Sequence, residues 1–253
     1  MPPAPPPLTA TTAQPFRLRL PGEGGEATAV LAYSWGSIAA PPGLLTADER
    51  AILAGLPSEP RRESWLLGRR AVKAALCRLT PGATPDAFTV INAASGAPLV
   101  AERGAGLALS LSHCRQYGAA LAMAGDHALG VDVEEIRPGA ADAVAAIATP
   151  AEHHLIRALP MAAAEAWIAA WALKESLGKA LRTGLRAPLA RYELADLTPG
   201  DDGCHASFRN FPAHQGITIH FSGHVCAMVL PGEVDRRDGL RRLVPPGCDT
   251  TLR

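Results

Sequence analysis

A helical stretch followed by several short apolar runs occurs twice along this chain of 253 residues, and that recurrence restricts the fold more than any single motif. In the first half, residues 26–34 (EATAVLAYS) read as a strand. Thr46 with Glu49 makes a capping box that opens a short helix to about Leu56. A second helix is expected from about Glu59 to Leu79, where Pro81-Gly82 stops it. Phe88–Asn92, Leu107–Ser112, Ala119–Ala124 and Leu129–Glu134 read as strands, two of them joined as a hairpin. In the second half, Thr149-Pro150-Ala151-Glu152 is a helix start with Thr as N-cap, Pro at the first helical position and Glu at the third. A long helix follows over about Met161–Leu181, and strands resume after Tyr192-Glu193-Leu194. Ile217–Phe221 and Val225–Leu230 form a closing hairpin around Ser222-Gly223-His224. An α+β fold with two similar halves, each a small, mainly antiparallel sheet packed with helices, is one architecture compatible with this pattern. The residues of the two halves are too unlike to establish a duplication by themselves. We expect a disordered Pro-rich tail over 1–15, an N-terminal half over 16–128, a C-terminal half over 129–232 and a peripheral tail over 233–253.

Lys+Arg and Asp+Glu number 24 each, so the formal net charge is zero. A globally basic nucleic-acid binder and a polybasic membrane-surface protein are thereby excluded, though a local patch is not. The five cysteines (Cys77, Cys114, Cys204, Cys226, Cys248) are widely spaced, with no CxxC pair, which suits free thiols in a reducing, cytoplasmic setting. The N-terminus lacks the basic and apolar regions of a signal peptide, and no apolar run reaches the ~20 residues of a membrane span. The basic residues are lopsided: 21 are arginine, and lysine occurs only at Lys73, Lys174 and Lys179. Lysine in such a chain marks places where a compact ammonium is wanted.

Three constellations carry chemistry. In Gly130-Val131-Asp132-Val133-Glu134 strand alternation sends Val131 and Val133 to the core and projects Asp132 and Glu134 together on the other side. Two carboxylates held side by side repel unless a cation separates them, and hard oxygen ligands suit magnesium. An exposed strand face with two acids is the ordinary alternative. In Trp171-Ala172-Leu173-Lys174-Glu175-Ser176-Leu177-Gly178-Lys179, residues 171, 175 and 179 share a helix face. Lys174 lies about 100° round from Glu175, so the two lysines can grip different parts of an anionic ligand, or Glu175 and Lys179 can form a simple surface pair. In Ser110-Leu111-Ser112-His113-Cys114, His113 and Ser112 stand at a strand end as phosphate donors, or as ordinary structural groups. A Cys114–His113 nucleophile lacks an orienting partner.

Taken in order, SLSHC (110–114), GVDVEE (130–135) and WALKESLGK (171–179) resemble the 4'-phosphopantetheinyl transferase family, in its Sfp-like branch. TPAEH (149–153) and RRESWLLGRRAVKAAL (61–76) look most like the enterobactin synthase component D group. The resemblance spans about Thr46 to Leu230. It implies two halves related by a pseudo-twofold axis, with coenzyme A and Mg2+ in the cleft between them, and an apo acyl or peptidyl carrier protein as partner. It implies Asp132, Glu134 and Glu175 as metal ligands. Ser112, His113, Lys174 and Lys179 would contact coenzyme A phosphates, with Arg61 and Arg62 helping. Glu175, Lys179 and Glu134 become the candidate catalytic residues. The chain departs from the family's common pattern at Ser64, where arginine is frequent, and at Ala97, where Gly-Lys-Pro is frequent. The implied reaction is attack of a carrier serine on the pantetheine-bearing phosphorus, releasing adenosine 3',5'-bisphosphate. The competing readings are a magnesium-dependent nucleotide pyrophosphohydrolase and a non-catalytic carrier-protein binder. A monomer is expected because one chain supplies the whole cleft. Arg69-Arg70 on the second helix are the candidate carrier-docking patch.

Overall fold

The computed structural model describes residues 9–21, 25–36, 40–101, 106–200, 203–234 and 240–248. Among the described residues the strands are β1 (Thr9–Arg19), β2 (Glu26–Gly36), β3 (Thr89–Asn92), β4 (Pro98–Ala101), β5 (Leu107–His113), β6 (Tyr117–Ala124), β7 (Gly130–Glu135), β8 (Leu194–Gly200), β9 (Gly203–Phe208), β10 (Gln215–Phe221), β11 (His224–Leu230) and β12 (Glu233–Val234). The α-helices among the described residues are α1 (Ala47–Ala54), α2 (Glu59–Leu79), α3 (Pro138–Ile147), α4 (Pro150–Arg157) and α5 (Ala163–Ala180). Two five-stranded antiparallel sheets, ordered β12-β1-β2-β6-β5 and β7-β11-β10-β9-β8, make the expected α+β fold. β3 and β4 form a separate ribbon.

The sheets are sandwiched face to face, and each outer face carries one long helix. Alternation along the strands does the sorting. Leu31 and Tyr33 of β2, with Leu121 and Met123 of β6, turn inward onto Val131, Val133, Phe221 and Met228 of the other sheet. The intervening Val30, Ala32, Ala120 and Ala122 turn outward onto Ala71, Val72, Ala75 and Leu76 of α2. Val225, Ala227 and Val229 of β11 meet Ala166, Ala170, Leu173 and Leu177 of α5 in the same way. Strands covered on both faces read as continuous apolar runs, which explains segments such as HVCAMVL. Alanine recurs at the helix–sheet contacts, where a small side chain allows close approach.

Both predicted capping boxes form: Thr46 with Glu49 at α1, and Thr149 with Glu152 at α4. The expected β10–β11 hairpin forms, but its turn is shorter than the three residues expected: His224 pairs with Phe221, leaving Ser222 and Gly223, both at positive φ (44° and 73°). The tails differ from expectation. Residues 9–15, assigned to a disordered tail, belong to β1, which pairs with β2 from Thr9 to Arg19. Among the described residues β1 pairs with β12 only at Leu18 and Arg19, so Pro15, opposite Val30, has a strand neighbour on one side alone, as proline in a sheet usually does. Residues 1–8 lie outside the described residues. The segment after Pro231 is not merely peripheral: β12 completes the first sheet, and Leu243 is buried in the central core.

Candidate active site

A tight approach at Gly130 brings the second sheet and its helix together. Gly130 opens β7 beneath α5, and a methyl group there would collide with the carbonyl oxygen of Ser176. The missing side chain lets β7 lie directly under the helix. Val131 and Val133 then fill the core, at 0% and 1% exposure, and Asp132 and Glu134 turn toward Trp171, Glu175 and Lys179. Lys179 donates to Asp132 Oδ1 at 2.7 Å and to the Val131 carbonyl at 3.0 Å. The alternation expected of this strand and the shared helix face both hold.

The SLS motif joins the halves. Ser110 Oγ accepts from the Val131 amide at 3.0 Å, and Ser112 Oγ donates to Asp132 Oδ1 at 2.7 Å. These two hydroxyls, one strand repeat apart on β5, tie the first sheet to β7. Ser112 thereby steadies Asp132.

Burial and mutual repulsion shape the carboxylates. Burial, then Asp132, pushes the Glu134 carboxyl up to about 7 against the opposing effects of a Trp171 hydrogen bond and Lys179. Burial and then Asp132 also raise Glu175. Asp132 Oδ2 is buried without a hydrogen-bond partner. A free, buried carboxylate oxygen among acids that resist ionising together is the charge pattern a hard cation relieves. As the side chains lie, no three acidic, histidine or cysteine groups among the described residues are gathered closely enough to enclose a metal ion.

Beside this cluster a cleft of about 420 Å³ opens between the halves. Its walls include Arg61, Trp65 and Arg69 of α2, the β3–β4 turn from Ser95 to Pro98, His113 of β5, and Lys179 and Arg182 beyond it. The cleft is therefore cationic on both sides. Burial, then Arg61 and Lys179, pushes His113 down to about 4, so its ring is neutral at physiological pH. A neutral imidazole among cations can donate to an anion without the cost of a further buried charge. Cys114 next to it has its thiol raised by burial, which removes the thiolate a Cys–His nucleophile needs.

Several expected contacts are not made. Lys174 is buried at 5% exposure, with its ammonium on Glu152 and away from the cleft. Arg62 donates to the Leu56 carbonyl at 2.9 Å and closes the loop before α2; only Arg61 of that pair lines the cleft. Arg69 and Arg70 are 4% and 7% exposed, so they are not a docking patch. Arg69 lies over the Trp65 ring, 4.6 Å from its centroid, and helps wall the cleft. The missed residues Trp65 and Arg69 had a legible signal: Arg61, Trp65 and Arg69 fall at i, i+4 and i+8 on one helix stripe, as do Trp171, Glu175 and Lys179. Arg182, at φ 55° and paired with Asp126 at 2.6 Å, had none.

The family model of the 4'-phosphopantetheinyl transferase superfamily matches residues 128–229. Among solved structures, the chain is similar to a holo-(acyl-carrier-protein) synthase from Bacillus anthracis in complex with CoA (3',5'-ADP). The match has 23% identity and a TM-score of 0.30, over 33% of this chain and 77% of that one. No curated protein matches the sequence.

Proposed function

We propose that this chain, whose residues 128–229 match the 4'-phosphopantetheinyl transferase superfamily, moves the 4'-phosphopantetheine arm of coenzyme A onto a serine of an apo carrier protein and releases adenosine 3',5'-bisphosphate. The observation that carries the reading is the convergence of Asp132, Glu134, Glu175 and Lys179 beside a cationic cleft shared by both halves.

The reaction joins an oxygen nucleophile to a phosphorus that already bears negative charge, so positioning and charge neutralisation dominate. Arg61, His113, Lys179 and Arg182 supply positive or donor groups along the cleft for the phosphates, and Trp65 backs Arg69 on one wall. Asp132, Glu134 and Glu175 are the residues to hold Mg2+, and the partnerless Asp132 Oδ2 supports that assignment. When bound there, Mg2+ would supply further neutralisation of the diphosphate. Glu175, directly or through a water, or Glu134 takes the proton of the attacking serine. Lys179, ammonium on Asp132, stabilises the oxygen that leaves. The Sfp-like branch, a likeness to the enterobactin synthase component D group and hence a siderophore or peptide synthetase carrier belong to this reading, as do a monomeric state and a cytoplasmic setting. No helix among the described residues is long and apolar enough to cross a membrane.

Incubation with an apo carrier, coenzyme A and Mg2+, followed by intact-protein mass spectrometry, tests the proposal. The carrier should gain one phosphopantetheine per chain. Asp132→Ala and Glu175→Ala should each lower turnover by about 10²- to 10³-fold, the usual scale for losing one transition-state electrostatic contact. Near-normal transfer by folded Asp132→Ala removes the proposed site. Rapid loss of coenzyme A without a carrier points instead to the pyrophosphohydrolase.

A further inference from the structure

Lys174 was expected at the ligand, and the structure puts it elsewhere in a way that is repeated. Glu152, the third residue of α4, is fully buried. Its carboxylate accepts from the Thr149 amide at 3.0 Å, from the Leu194 amide at 3.1 Å and from Lys174 Nζ at 2.8 Å. One acid therefore caps its own helix, holds the first residue of β8 and anchors the middle of α5. Glu49 makes the same three attachments in the first half. It accepts from the Thr46 amide at 3.0 Å, from the Val90 amide of β3 at 3.1 Å and from Lys73 Nζ of α2 at 2.6 Å. The chain separations also agree: 24 residues to the lysine and 41 to the strand in the first half, 22 and 42 in the second.

We propose that the Glu152–Lys174 clasp is a positioning device that sets α5 so that Glu175 and Lys179 meet β7, and that Lys174 does not touch coenzyme A. Glu175 follows Lys174 directly and Lys179 lies five residues on, so a rotation or slide of α5 moves both against Asp132. A fully buried carboxylate needs its partner, because removing one member leaves an uncompensated buried charge. The clasp thus fixes the helix with a specificity that the alanine-rich contact between α5 and the sheet lacks. The Glu49–Lys73 copy holds α2, and with it Arg61, Trp65 and Arg69, at the opposite wall of the cleft. The roles given to Glu175 and Lys179 rest on the transferase reading; the clasp itself does not.

The test compares the wild type with Glu152→Gln/Lys174→Met, which removes both charges and leaves neither unpaired. Positioning predicts a folded protein whose kcat falls at least about 20-fold while its KM for coenzyme A stays within about threefold. A kcat within twofold of wild type overturns the proposal. So does a raised coenzyme A KM with unchanged kcat, which is the signature of a phosphate ligand. Should the double variant fail to fold, Lys174→Arg carries the test. It keeps the charge and changes its reach, so a fivefold or greater fall in kcat at wild-type KM supports positioning, and an unchanged kcat overturns it. If the wild type transfers nothing, the transferase reading fails on its own. The clasp is then read by amide hydrogen exchange over Ala163–Ala180, which should quicken in whichever of these variants folds; unaltered exchange overturns it.

Discussion

At the residue scale, the three lysines account for their own scarcity. Lys73 and Lys174 each sit on a buried glutamate, and Lys179 sits on Asp132 at the cleft. A compact ammonium can be enclosed by a carboxylate and nearby carbonyls where a guanidinium fork does not fit; Lys73 also donates to the carbonyls of Pro85 and Phe88. His113 makes a residue-scale prediction about pH. Its folded-state value, about 4, lies below the ordinary value of 6.5. Between those limits the unfolded chain binds a proton that the folded chain refuses. His113 therefore removes stability as pH falls from about 6.5, and that loss is complete below about 4. In urea unfolding, the fall in stability from pH 7.5 to pH 5 should be smaller in His113→Gln than in wild type. Equal falls would show that the ring is not kept neutral by its surroundings.

At the element scale, helix starts and turn residues were plain in the sequence because their causes are local. Thr-x-x-Glu marks both α1 and α4. What the pattern could not show is that both glutamates have a second task, since their lysines and strand amides lie 22 to 42 residues away. β1 was illegible for a related reason: its eleven residues become a strand by pairing with β2, against a composition that reads as a tail. Gly130 is where an element boundary sets the chemistry. Gly130→Ala should push β7 off α5 and separate Asp132 from Lys179. Such overpacking costs roughly 1–3 kcal/mol, more where backbone is the obstacle. The expected outcome is a lowered urea midpoint together with a fall in transfer exceeding tenfold. Wild-type stability would show that the strand has room to shift.

At the scale of the whole molecule, two helix-covered sheets enclose a common core, and the cleft exists only where they are joined. Ser110 and Ser112 supply the polar part of that joint. The C-terminal segment supplies an apolar part, because Leu243 is 1% exposed among residues from both sheets. Leu243→Ala should cost about 2–5 kcal/mol, the range for a buried leucine truncation, and lower the unfolding midpoint cooperatively. A change below ~0.5 kcal/mol would mean that the segment lies on the surface after all.

Most of the elements, the two capped helix starts, the shared face of Asp132 and Glu134 on β7 and the Glu175–Lys179 face of α5 were legible in the sequence. Each is a pattern with a period of two or four residues, written by neighbouring side chains. Which polar groups meet was not legible there and follows from packing: Ser112 with Asp132, Lys179 with Asp132, Lys174 with Glu152 rather than with the cleft. Those partners lie 20 to 47 residues apart. A buried charge takes whichever partner packing brings within reach, and packing depends on the whole chain.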